Sequence, residues 1–300
     1  GLELEERYPA ISFSQLLGDI CDEKAISDIF LSHRPQIVFH AAAYKHVPML
    51  QNQIRETMRN NTLGTLSVAN AAVAAGVEKF VLISTDKAVN PSSMMGVSKR
   101  LAEIVGQLRN DTEKTKFITV RFGNVLGSAG SVVPLFERQI RQGGPVTVTD
   151  PSMTRYFMTV SEACQLILQA CVMGTGGEIF VLNMGEPVKI DYLARQMIRL
   201  AGKVPDDEVE VRYTGLRPGE KLSEELFHPD ESLAPTDYEK ILLAQARPTT
   251  PDKFWKLLEQ LASSIEACDH KSVRDISLEL VPEYQSISGS PDLDASNAAA

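Results

Sequence analysis

A short run of polar residues follows an apolar segment in the first third of the chain. Residues 80–83 (FVLI) have the composition of a buried strand, and residues 84–87 (STDK) come directly after them. Lys99 follows in a segment with helical periodicity. Open α/β sheets carry their chemistry at the carboxyl ends of strands, so we expect these hydroxyl, carboxyl and amino groups to converge. Groups of these types can hold a polar ligand and exchange protons with it.

Flanking segments predict the elements that position these groups. Four segments favour strands: residues 16–20 (LLGDI), 36–43 (QIVFHAAA), 80–83 and 117–125 (FITVRFGNV). Two segments between them favour helices: residues 60–76, which end at a glycine, and residues 94–110. Strands that alternate with helices in this way predict an α/β fold.

The polar stretch resembles the UDP-N-acetylglucosamine 4,6-dehydratases of polysaccharide biosynthesis, a branch of the extended short-chain dehydrogenases/reductases. Residues 84–91 (STDKAVNP), 95–96 (MG) and 98–100 (SKR) match that family's pattern. Lys99 corresponds to the lysine of its YxxxK motif, and Met95 stands where most members have tyrosine. Methionine at this position is a recognised variant of the family.

The resemblance covers roughly residues 19–284 and implies a Rossmann-like, doubly wound parallel sheet with a smaller α/β C-terminal substrate lobe. We expect a partial dinucleotide-binding domain over residues 1–145. A nucleotide-sugar lobe with a C-terminal helical cap is expected over residues 146–284, with the chain crossing between the lobes. Because no GxGxxG turn precedes Gly18, we expect the first βαβ unit to be missing and the chain to be part of a longer polypeptide. Residues 285–300 are rich in Ser, Gly, Asp and Ala, which predicts a disordered tail.

The resemblance also implies a tightly bound NAD that is recycled in each turnover. Its contacts are assigned to Asp19, Ile20, His40, Ala41, Ala42, Lys45, Asn61 and Lys99. Asp19 is expected on the adenine side and Lys99 on the nicotinamide ribose. From the residues alone, Asp19 and Asn61 are equally suited to cap helices, and His40 is suited to a core position.

Two further segments match substrate-binding parts of the family, residues 127–134 (GSAGSVVP) and 215–221 (GLRPGEK). The resemblance assigns contacts with a UDP-sugar to Lys45, Asn124, Ser131, Arg155, Arg217 and Glu220. The Arg217 guanidinium is suited to a diphosphate because it can donate two charge-assisted hydrogen bonds in parallel. The alternative interpretation of residues 215–221 is an ordinary turn before a helix.

A 4,6-dehydratase oxidises the sugar at C4 by hydride transfer to NAD, eliminates water across C5 and C6, and returns the hydride to C6. By resemblance, Asp86 is the acid at C6 and Lys87 is the base at C5, which requires a lysine pKa below its usual value of about 10. Met95 has no proton to exchange. Thr85 is therefore assigned to hold the C4 oxygen, while Asp86, Lys99 or a water takes the proton. The alternative for Asp86 and Lys87 is a salt bridge that closes a loop.

Composition limits the partners and the location. A net charge of −9 argues against a nucleic-acid surface, and no apolar run reaches the roughly 18 residues of a membrane helix. The cysteines lack metal-ligand spacing, so we predict no metal site and a reducing, cytoplasmic compartment. Cys164 and Cys171 are predicted to share one buried helix face. We expect a homo-oligomer, and an inner-membrane anchor only through a preceding N-terminal region.

These features predict a 4,6-dehydratase of UDP-N-acetyl-hexosamines that retains the C5 configuration and serves surface-glycan synthesis. One alternative is the dehydratase that also inverts C5, whose members keep the tyrosine that Met95 replaces here. The other alternative is a non-catalytic remnant, because the glycine-rich cofactor turn is absent. We expect the 300-residue chain alone to be inactive and to bind NAD poorly.

Overall fold

The computed structural model describes residues 2–110, 114–128, 130–245 and 247–285. Its strands are β1 (Ile37–His40), β2 (Lys79–Thr85), β3 (Lys116–Phe122), β4 (Asn124–Val125), β5 (Val146–Val148), β6 (Thr154–Arg155), β7 (Phe157–Met158), β8 (Ile179–Leu182), β9 (Val188–Lys189), β10 (Val211–Tyr213), β11 (Leu233–Pro235) and β12 (Ile241–Ala244).

The α-helices are α1 (Leu2–Arg7), α2 (Glu23–His33), α3 (Val47–Gln51), α4 (Ile54–Met58), α5 (Gly64–Ala74), α6 (Met94–Asn110), α7 (Val132–Arg141), α8 (Val160–Met173), α9 (Ile190–Leu200), α10 (Pro251–Glu266) and α11 (His270–Leu280). A π-helical turn, Arg59–Leu63, joins α4 to α5, and a 3₁₀ turn, Asp86–Ala88, follows β2.

A six-stranded sheet in the order β1-β2-β3-β8-β12-β11 forms the centre of the molecule. The first four strands are parallel, and β12 and β11 continue the sheet in antiparallel orientation. Helices α2, α5, α6, α10 and α11 share a hydrophobic core on one face, while α8 packs on the other face. The predicted α/β class with a mostly parallel sheet is confirmed.

The second half of the chain contributes to two places. Strands β5 and β10 pair in parallel and pack with α7 and α9 around a separate apolar cluster. Strands β8, β11 and β12, in contrast, lie in the main sheet, and α11 packs with α4 and α6 while α10 packs on α11. The domain boundary at residue 145 stays a prediction.

Local signals in the sequence set the ends of the helices that flank the site. Asp22 caps α2, because its carboxylate accepts a hydrogen bond from the Ala25 N–H at 3.0 Å. After α5 the chain turns at Gly76, which has φ +72°, and the Val77 N–H donates to the Ala72 carbonyl. This is the glycine-terminated helix end that the sequence predicted.

The predicted strand at residues 16–20 is wrong. This segment has no regular structure, and Leu16 and Leu17 are 55% and 102% exposed. An apolar run becomes a strand only where a neighbouring strand supplies hydrogen bonds and a layer covers its side chains. In the described part of the chain, β1 is the edge strand on this side and offers residues 16–20 no pairing.

The predicted burial of Cys164 is also wrong. Cys171 is buried against the sheet, but Cys164 is exposed near the start of α8. Seven residues bring two side chains to similar helix faces, yet α8 contacts the sheet mainly through its Ala163 and Ala170 side. The spacing therefore predicted the face but not the depth of burial along it.

Two further expectations concern the C-terminal tail and membrane-spanning helices. The predicted tail, residues 285–300, lies outside the described residues except for Gln285, whose N–H donates to the Pro91 carbonyl at 2.9 Å. Within the described ranges, none of the helices has the length and hydropathy of a membrane span.

A buried ionic network ties β3 to α6 and to the segment before β11. Arg121 is 0% exposed, and its guanidinium donates to both carboxylate oxygens of Glu103, each at 2.7 Å. It also donates to Glu231 at 2.7 and 3.1 Å. The Ser84 hydroxyl, at the end of β2, donates to Glu103 at 2.6 Å. This network fixes the strand end that precedes the predicted active residues.

We predict that Arg121→Met lowers the free energy of unfolding by about 3–5 kcal/mol, because it removes the guanidinium that bridges two buried carboxylates. Glu103 then keeps Arg100 at 3.2 Å and Glu231 keeps Arg247 at 3.5 Å, but the link between them is lost. Urea unfolding of the chain measures this. Lys240→Met is the matched control, because its ion pair with Glu162 is exposed and is worth about 1 kcal/mol or less. Equal losses in the two variants would contradict the assigned role of the network.

The same network predicts how stability depends on pH. Burial raises the pKa of Glu103, but attraction to Arg121 outweighs burial and lowers it from 4.5 to about 2. A folded-state pKa below the unfolded value stabilises the protein above about pH 4.5, and this contribution is lost as the pH falls toward 2. We expect the urea midpoint to fall from pH 5 to pH 3, with a smaller fall in Glu103→Gln; equal falls would refute this.

Candidate active site

A cleft opens at the carboxyl ends of β1, β2 and β3. It consists of two adjoining cavities of about 370 and 250 Å³. Residues that line both cavities join them into one cleft: Lys45, His46, Lys87, Asn124, Gly130 and Ser131. The inner part lies against β2 and the start of α6, and the outer part reaches the turn at residues 215–221.

The polar run predicted from the sequence forms the floor of this cleft. The Thr85 hydroxyl donates to Asp86 Oδ1 at 2.8 Å, and the Lys87 ammonium donates to the same oxygen at 2.9 Å. Lys87 also reaches Asn124 Oδ1 at 3.4 Å, and its Nζ lies 3.6 Å from Glu224 Oε1. Thr85 and Lys87 line the cleft, as their position after a buried strand predicts.

Asp86 lies behind Lys87. It is 0% exposed and does not line either cavity. Its Oδ2 has no hydrogen-bond partner in the described part of the chain. Gly123 makes room for this carboxylate, because a Cβ there would lie 3.0 Å from Oδ2. The arrangement gives Asp86 a direct contact with Lys87 but none with the cleft.

The electrostatics of Lys87 differ from those its predicted role needs. Burial lowers the pKa of Lys87, but the attraction of Asp86 and Glu224 outweighs burial and raises it overall. The role of base at C5 requires a lowered pKa. In the free site Lys87 is therefore an ammonium, which is suited to donate a proton.

Lys99 and Met95 lie one helical turn apart on α6 and both line the inner cavity. The Lys99 ammonium donates to the Ile83 carbonyl at 2.7 Å. Burial lowers the pKa of Lys99 to about 8, although Glu103 acts in the opposite direction. Met95 packs against residues of α3, whereas Met94 lies in the main core. The structure thus places Met95, not Met94, on the cleft.

Close packing holds α6 against this floor. A Cβ at Gly96 would overlap the Lys87 carbonyl, so only glycine permits this approach. Gly96 N–H donates to Ser93 Oγ at 3.1 Å, and Met94 N–H donates to Gln51 Oε1 at 3.0 Å. These bonds satisfy free N–H groups at the helix start and fix α6 relative to Lys87.

Asn61 holds the loop after β1 in place. Its side-chain amide bonds the N–H and the carbonyl of Tyr44 at 2.8 and 3.0 Å, and donates to Ser98 Oγ at 3.0 Å. The residue lies in the π-helical turn and is 0% exposed. Asn61 does not line the cleft, and its bonds join the loop to α6.

His40 occupies a core position. Its Nε2 lies 2.9 Å from Thr65 Oγ1. The Thr65 hydroxyl donates its own proton to the Asn61 carbonyl at 2.7 Å, so Nε2 carries the hydrogen in this pair. Burial, assisted by Lys99, lowers the pKa of His40 to about 3. His40 is therefore a neutral, hydrogen-bonded core residue.

The other residues predicted to bind the cofactor are divided. Ala41 and Lys45 line the cleft, but Ala42 does not. Asp19 accepts a hydrogen bond from Cys21 N–H, and Ile20 packs near Gly64, both away from the cleft. Asp19 is not the helix cap that the sequence left open, since Asp22 caps α2.

All six residues predicted to bind substrate lie around the outer cavity. Lys45, Asn124, Ser131, Arg155, Arg217 and Glu220 all line it. In the described part of the chain, the guanidinium of Arg217 has no acidic partner within 4.0 Å, and Ser131 Oγ is buried without a partner. Both groups remain available to a ligand.

Arg155 differs from Arg217, because the protein already uses its donors. Its guanidinium donates to the carbonyls of Thr154, Leu222 and Lys221 at 2.7, 3.1 and 2.8 Å. One of its nitrogens lies 3.6 Å from Glu224. Arg155 therefore clamps the segment that follows the turn at residues 215–221.

Sequence reasoning missed Glu224. It is 8% exposed, lines the outer cavity and lies within 4 Å of two cations, Lys87 and Arg155. The sequence signal for it was an acidic residue three positions after the GLRPGEK motif, which ends at Lys221.

The cleft is basic in an acidic protein. Its charged lining consists of five basic and two acidic residues: Lys45, Lys87, Lys99, Arg155, Arg217, Glu220 and Glu224. The chain as a whole carries a net charge of −9. A concave site of opposite sign to the protein concentrates anions, so the cleft is suited to a phosphate-bearing ligand. Among the described residues, no cluster of three potential metal ligands occurs.

The chain is similar to proteins of polysaccharide biosynthesis. The chain matches the family model described as polysaccharide biosynthesis protein over residues 2–246. It is 53% identical over 241 residues to the capsular polysaccharide biosynthesis protein CapD of Staphylococcus aureus, a match that covers 80% of this chain and 40% of CapD. The chain thus spans about two fifths of the length of such relatives.

Two solved structures show the same fold. The structure of Pen from Bacillus thuringiensis is 34% identical, with a TM-score of 0.75, and the match covers 82% of this chain and 77% of Pen. MoeE5 in complex with UDP-glucuronic acid and NAD is 27% identical, with a TM-score of 0.61, and covers 71% and 76% of the two chains. Together with the family match, these likenesses show that the chain belongs to the polysaccharide biosynthesis protein family.

Proposed function

We propose that the full-length protein is an NAD-dependent 4,6-dehydratase of UDP-N-acetyl-hexosamines, which converts UDP-N-acetylglucosamine to its 4-keto-6-deoxy product with retention at C5. One observation carries this proposal. Lys87, Thr85 and Lys99 face the same cleft as Met95, and the unpaired Arg217 guanidinium lies at its other end. Proton-exchanging groups at one end and an anion-binding group at the other match a nucleotide-linked sugar.

The inner cavity suits the nicotinamide end of NAD. Small residues, Ala41 and Ala43, line its wall, and we assign Lys99, which also lines it, to hold the ribose. NAD, when bound, supplies the hydride acceptor for C4 and the hydride donor for C6. MoeE5, whose complex contains NAD and a UDP-sugar, supports the choice of both ligands.

The outer cavity suits the diphosphate of a UDP-sugar. Arg217 and Lys45 supply positive charge, and the Ser131 hydroxyl supplies a free hydrogen-bonding group. Binding the diphosphate there directs the sugar ring toward Lys87. A guanidinium gives more orientation than an ammonium because it donates two parallel bonds.

Proton transfer falls to the groups that face the ring. Lys87 passes a proton to Asp86, and its neutral amine removes the C5 hydrogen as a proton. The ammonium so formed protonates the C6 hydroxyl, which leaves as water, and the proton held by Asp86 returns through Lys87 to C5 when hydride is delivered to C6. Asp86 exchanges protons with Lys87 across their 2.9 Å contact, since it does not reach the cleft itself. Thr85 holds the C4 oxygen, and Lys99, with a pKa of about 8, is suited to take the C4 hydroxyl proton.

We predict that full-length protein with NAD and UDP-N-acetylglucosamine yields a product lighter by one water. Lys87→Met removes the proton-exchanging group and should lower kcat by about 10²- to 10⁴-fold. Lys240→Met, which changes an exposed lysine, is the control and should leave the rate unchanged. Mass spectrometry of the nucleotide sugar follows the reaction.

Three outcomes would count against the proposal. Absence of dehydrated product favours the non-catalytic remnant, and full activity in Lys87→Met contradicts the role of that residue. Inverted configuration at C5 in the proton NMR spectrum of the product favours the inverting dehydratase.

We predict that Arg217→Ala weakens UDP binding by about 10- to 100-fold, the worth of hydrogen bonds to a charged group. Isothermal titration calorimetry with UDP measures the change. Arg217→Lys should recover only part of it, because an ammonium lacks the paired donors. Arg212→Ala is the matched control, since Arg212 is exposed and already paired with Glu210. Unchanged affinity for UDP in Arg217→Ala would contradict the placement of the diphosphate at this end of the cleft.

A further inference from the structure

Glu224 connects two parts of the cleft that are distant in the sequence. One part is the floor around Lys87. The other is the segment 215–225, here called the substrate turn, which carries Arg217. Glu224 Oε1 lies 3.6 Å from Lys87 Nζ and 3.6 Å from a guanidinium nitrogen of Arg155. One carboxylate oxygen is thus shared between the floor and the clamp of the turn.

Three further contacts join the substrate turn to the chain that follows Lys87. Ser92 Oγ donates to the Gly219 carbonyl at 3.0 Å, and Lys221 Nζ donates to the Val89 carbonyl at 3.3 Å. Asn90 donates to Glu225 at 2.6 Å. A Cβ at Gly219 would come within 2.9 Å of Ser93, so the turn packs directly on the start of α6. Displacement of the turn therefore displaces the surroundings of Lys87.

The contacts of Arg155 make Glu224 part of the turn. Arg155 donates to the carbonyls of Lys221 and Leu222, which hold the backbone that carries Glu224. At 3.6 Å, neither cation makes a hydrogen bond with Glu224, so the carboxylate interacts with both through charge. A small shift of the turn is enough to change how strongly the Glu224 carboxylate interacts with Lys87 and with Arg155.

We propose that Glu224 is a positioning residue that couples ligand binding on the substrate turn to the charge and position of Lys87. This inference rests on the proposed function, since it takes Lys87 as the proton-exchanging group and a nucleoside diphosphate as the ligand of Arg217. In the free site Glu224 and Asp86 hold the ammonium of Lys87 between them. Binding of the diphosphate moves the turn and thereby alters the reactivity of Lys87.

Several charged groups other than Glu224 face Lys87. Asp86 contacts it from its own turn, and Arg155 opposes its charge from β6. Lys45, Lys99, Arg217 and Glu220 lie along the walls of the same cleft. Of these groups, Asp86 and Glu224 are the two carboxylates within 4 Å of Lys87 Nζ. Removal of the Glu224 charge should therefore shift the titration of Lys87 toward lower pH.

Competitive acetylation tests this without depending on activity. Full-length protein is treated with trace acetic anhydride between pH 7 and pH 11, with and without UDP, and the Lys87 peptide is quantified by mass spectrometry. Only the neutral amine reacts, so the midpoint reports the titration of Lys87. The variants are Glu224→Gln, the conservative Glu224→Asp, and Glu162→Gln as the matched control, because Glu162 is partly exposed, pairs with Lys240 and lines neither cavity.

We expect a lower midpoint in Glu224→Gln than in wild type, an intermediate one in Glu224→Asp, and the wild-type midpoint in Glu162→Gln. UDP should change the labelling of Lys87 several-fold in wild type and much less in Glu224→Gln. An unchanged midpoint in Glu224→Gln would overturn the inference. If Glu224→Gln does not fold, as circular dichroism would show, Glu224→Asp decides, and a wild-type midpoint there overturns it.

The same measurements separate this inference from the proposed function. Failure of UDP to bind in calorimetry contradicts the proposed function, while a shifted midpoint in Glu224→Gln still supports the charge contact. UDP binding with identical labelling of Lys87 in wild type and Glu224→Gln contradicts the coupling and leaves the proposed ligand in place.

Discussion

The site depends on the position of the Lys87 ammonium between two carboxylates. Burial opposes its charge, and Asp86 and Glu224 restore it. A buried charge that is paired in this way is costly to leave unpaired, so the surrounding polar groups are strongly constrained. Three features keep the side chains of Asp86, Lys87 and Glu224 together. They are the 3₁₀ turn after β2, the adjacent glycines Gly96 and Gly123, and the substrate turn.

The scaffold behind the cleft uses a second ionic cluster. Arg121, which is fully buried, binds Glu103 and Glu231. Glu103 also accepts a hydrogen bond from the Ser84 hydroxyl. Since Ser84 precedes Thr85, the network fixes the end of β2 at the point where the proposed reactive groups begin. Glu103 also lies one turn from Lys99 on α6 and opposes the effect of burial on its pKa. The Glu103 carboxylate thus contributes both to the buried ionic network and to the pKa of Lys99.

Much of the site was predictable because strand ends follow simple rules. An apolar β-branched strand before Thr85 and Lys87, and a helix carrying Lys99, were enough to bring them to one cleft. Met95 was assigned because it stands where the YxxxK motif of the resembling family has tyrosine, and the packing of α6 agrees with that position. The burial of Asp86 was not predictable, because adjacent residues of a tight turn can face different sides.

The errors have related causes. The strand at residues 16–20 failed because strand formation requires a partner, which local composition does not report. The predicted burial of Cys164 was wrong because helical periodicity gives the direction of a side chain and not how deeply it is buried. Glu224 was missed because its partners, Lys87 and Arg155, are distant in sequence and meet it only through the fold. Contacts of this kind require the tertiary structure.

The central claim is that Lys87, and not Asp86, faces the sugar. A crystal structure of the full-length protein with NAD and an unreactive UDP-sugar analogue tests it most directly. The account predicts the diphosphate on Arg217 and the C6 hydroxyl within about 3 Å of Lys87 Nζ, with Asp86 out of contact with the sugar. A sugar ring that contacts Asp86 and not Lys87, or a diphosphate bound away from Arg217, would contradict it.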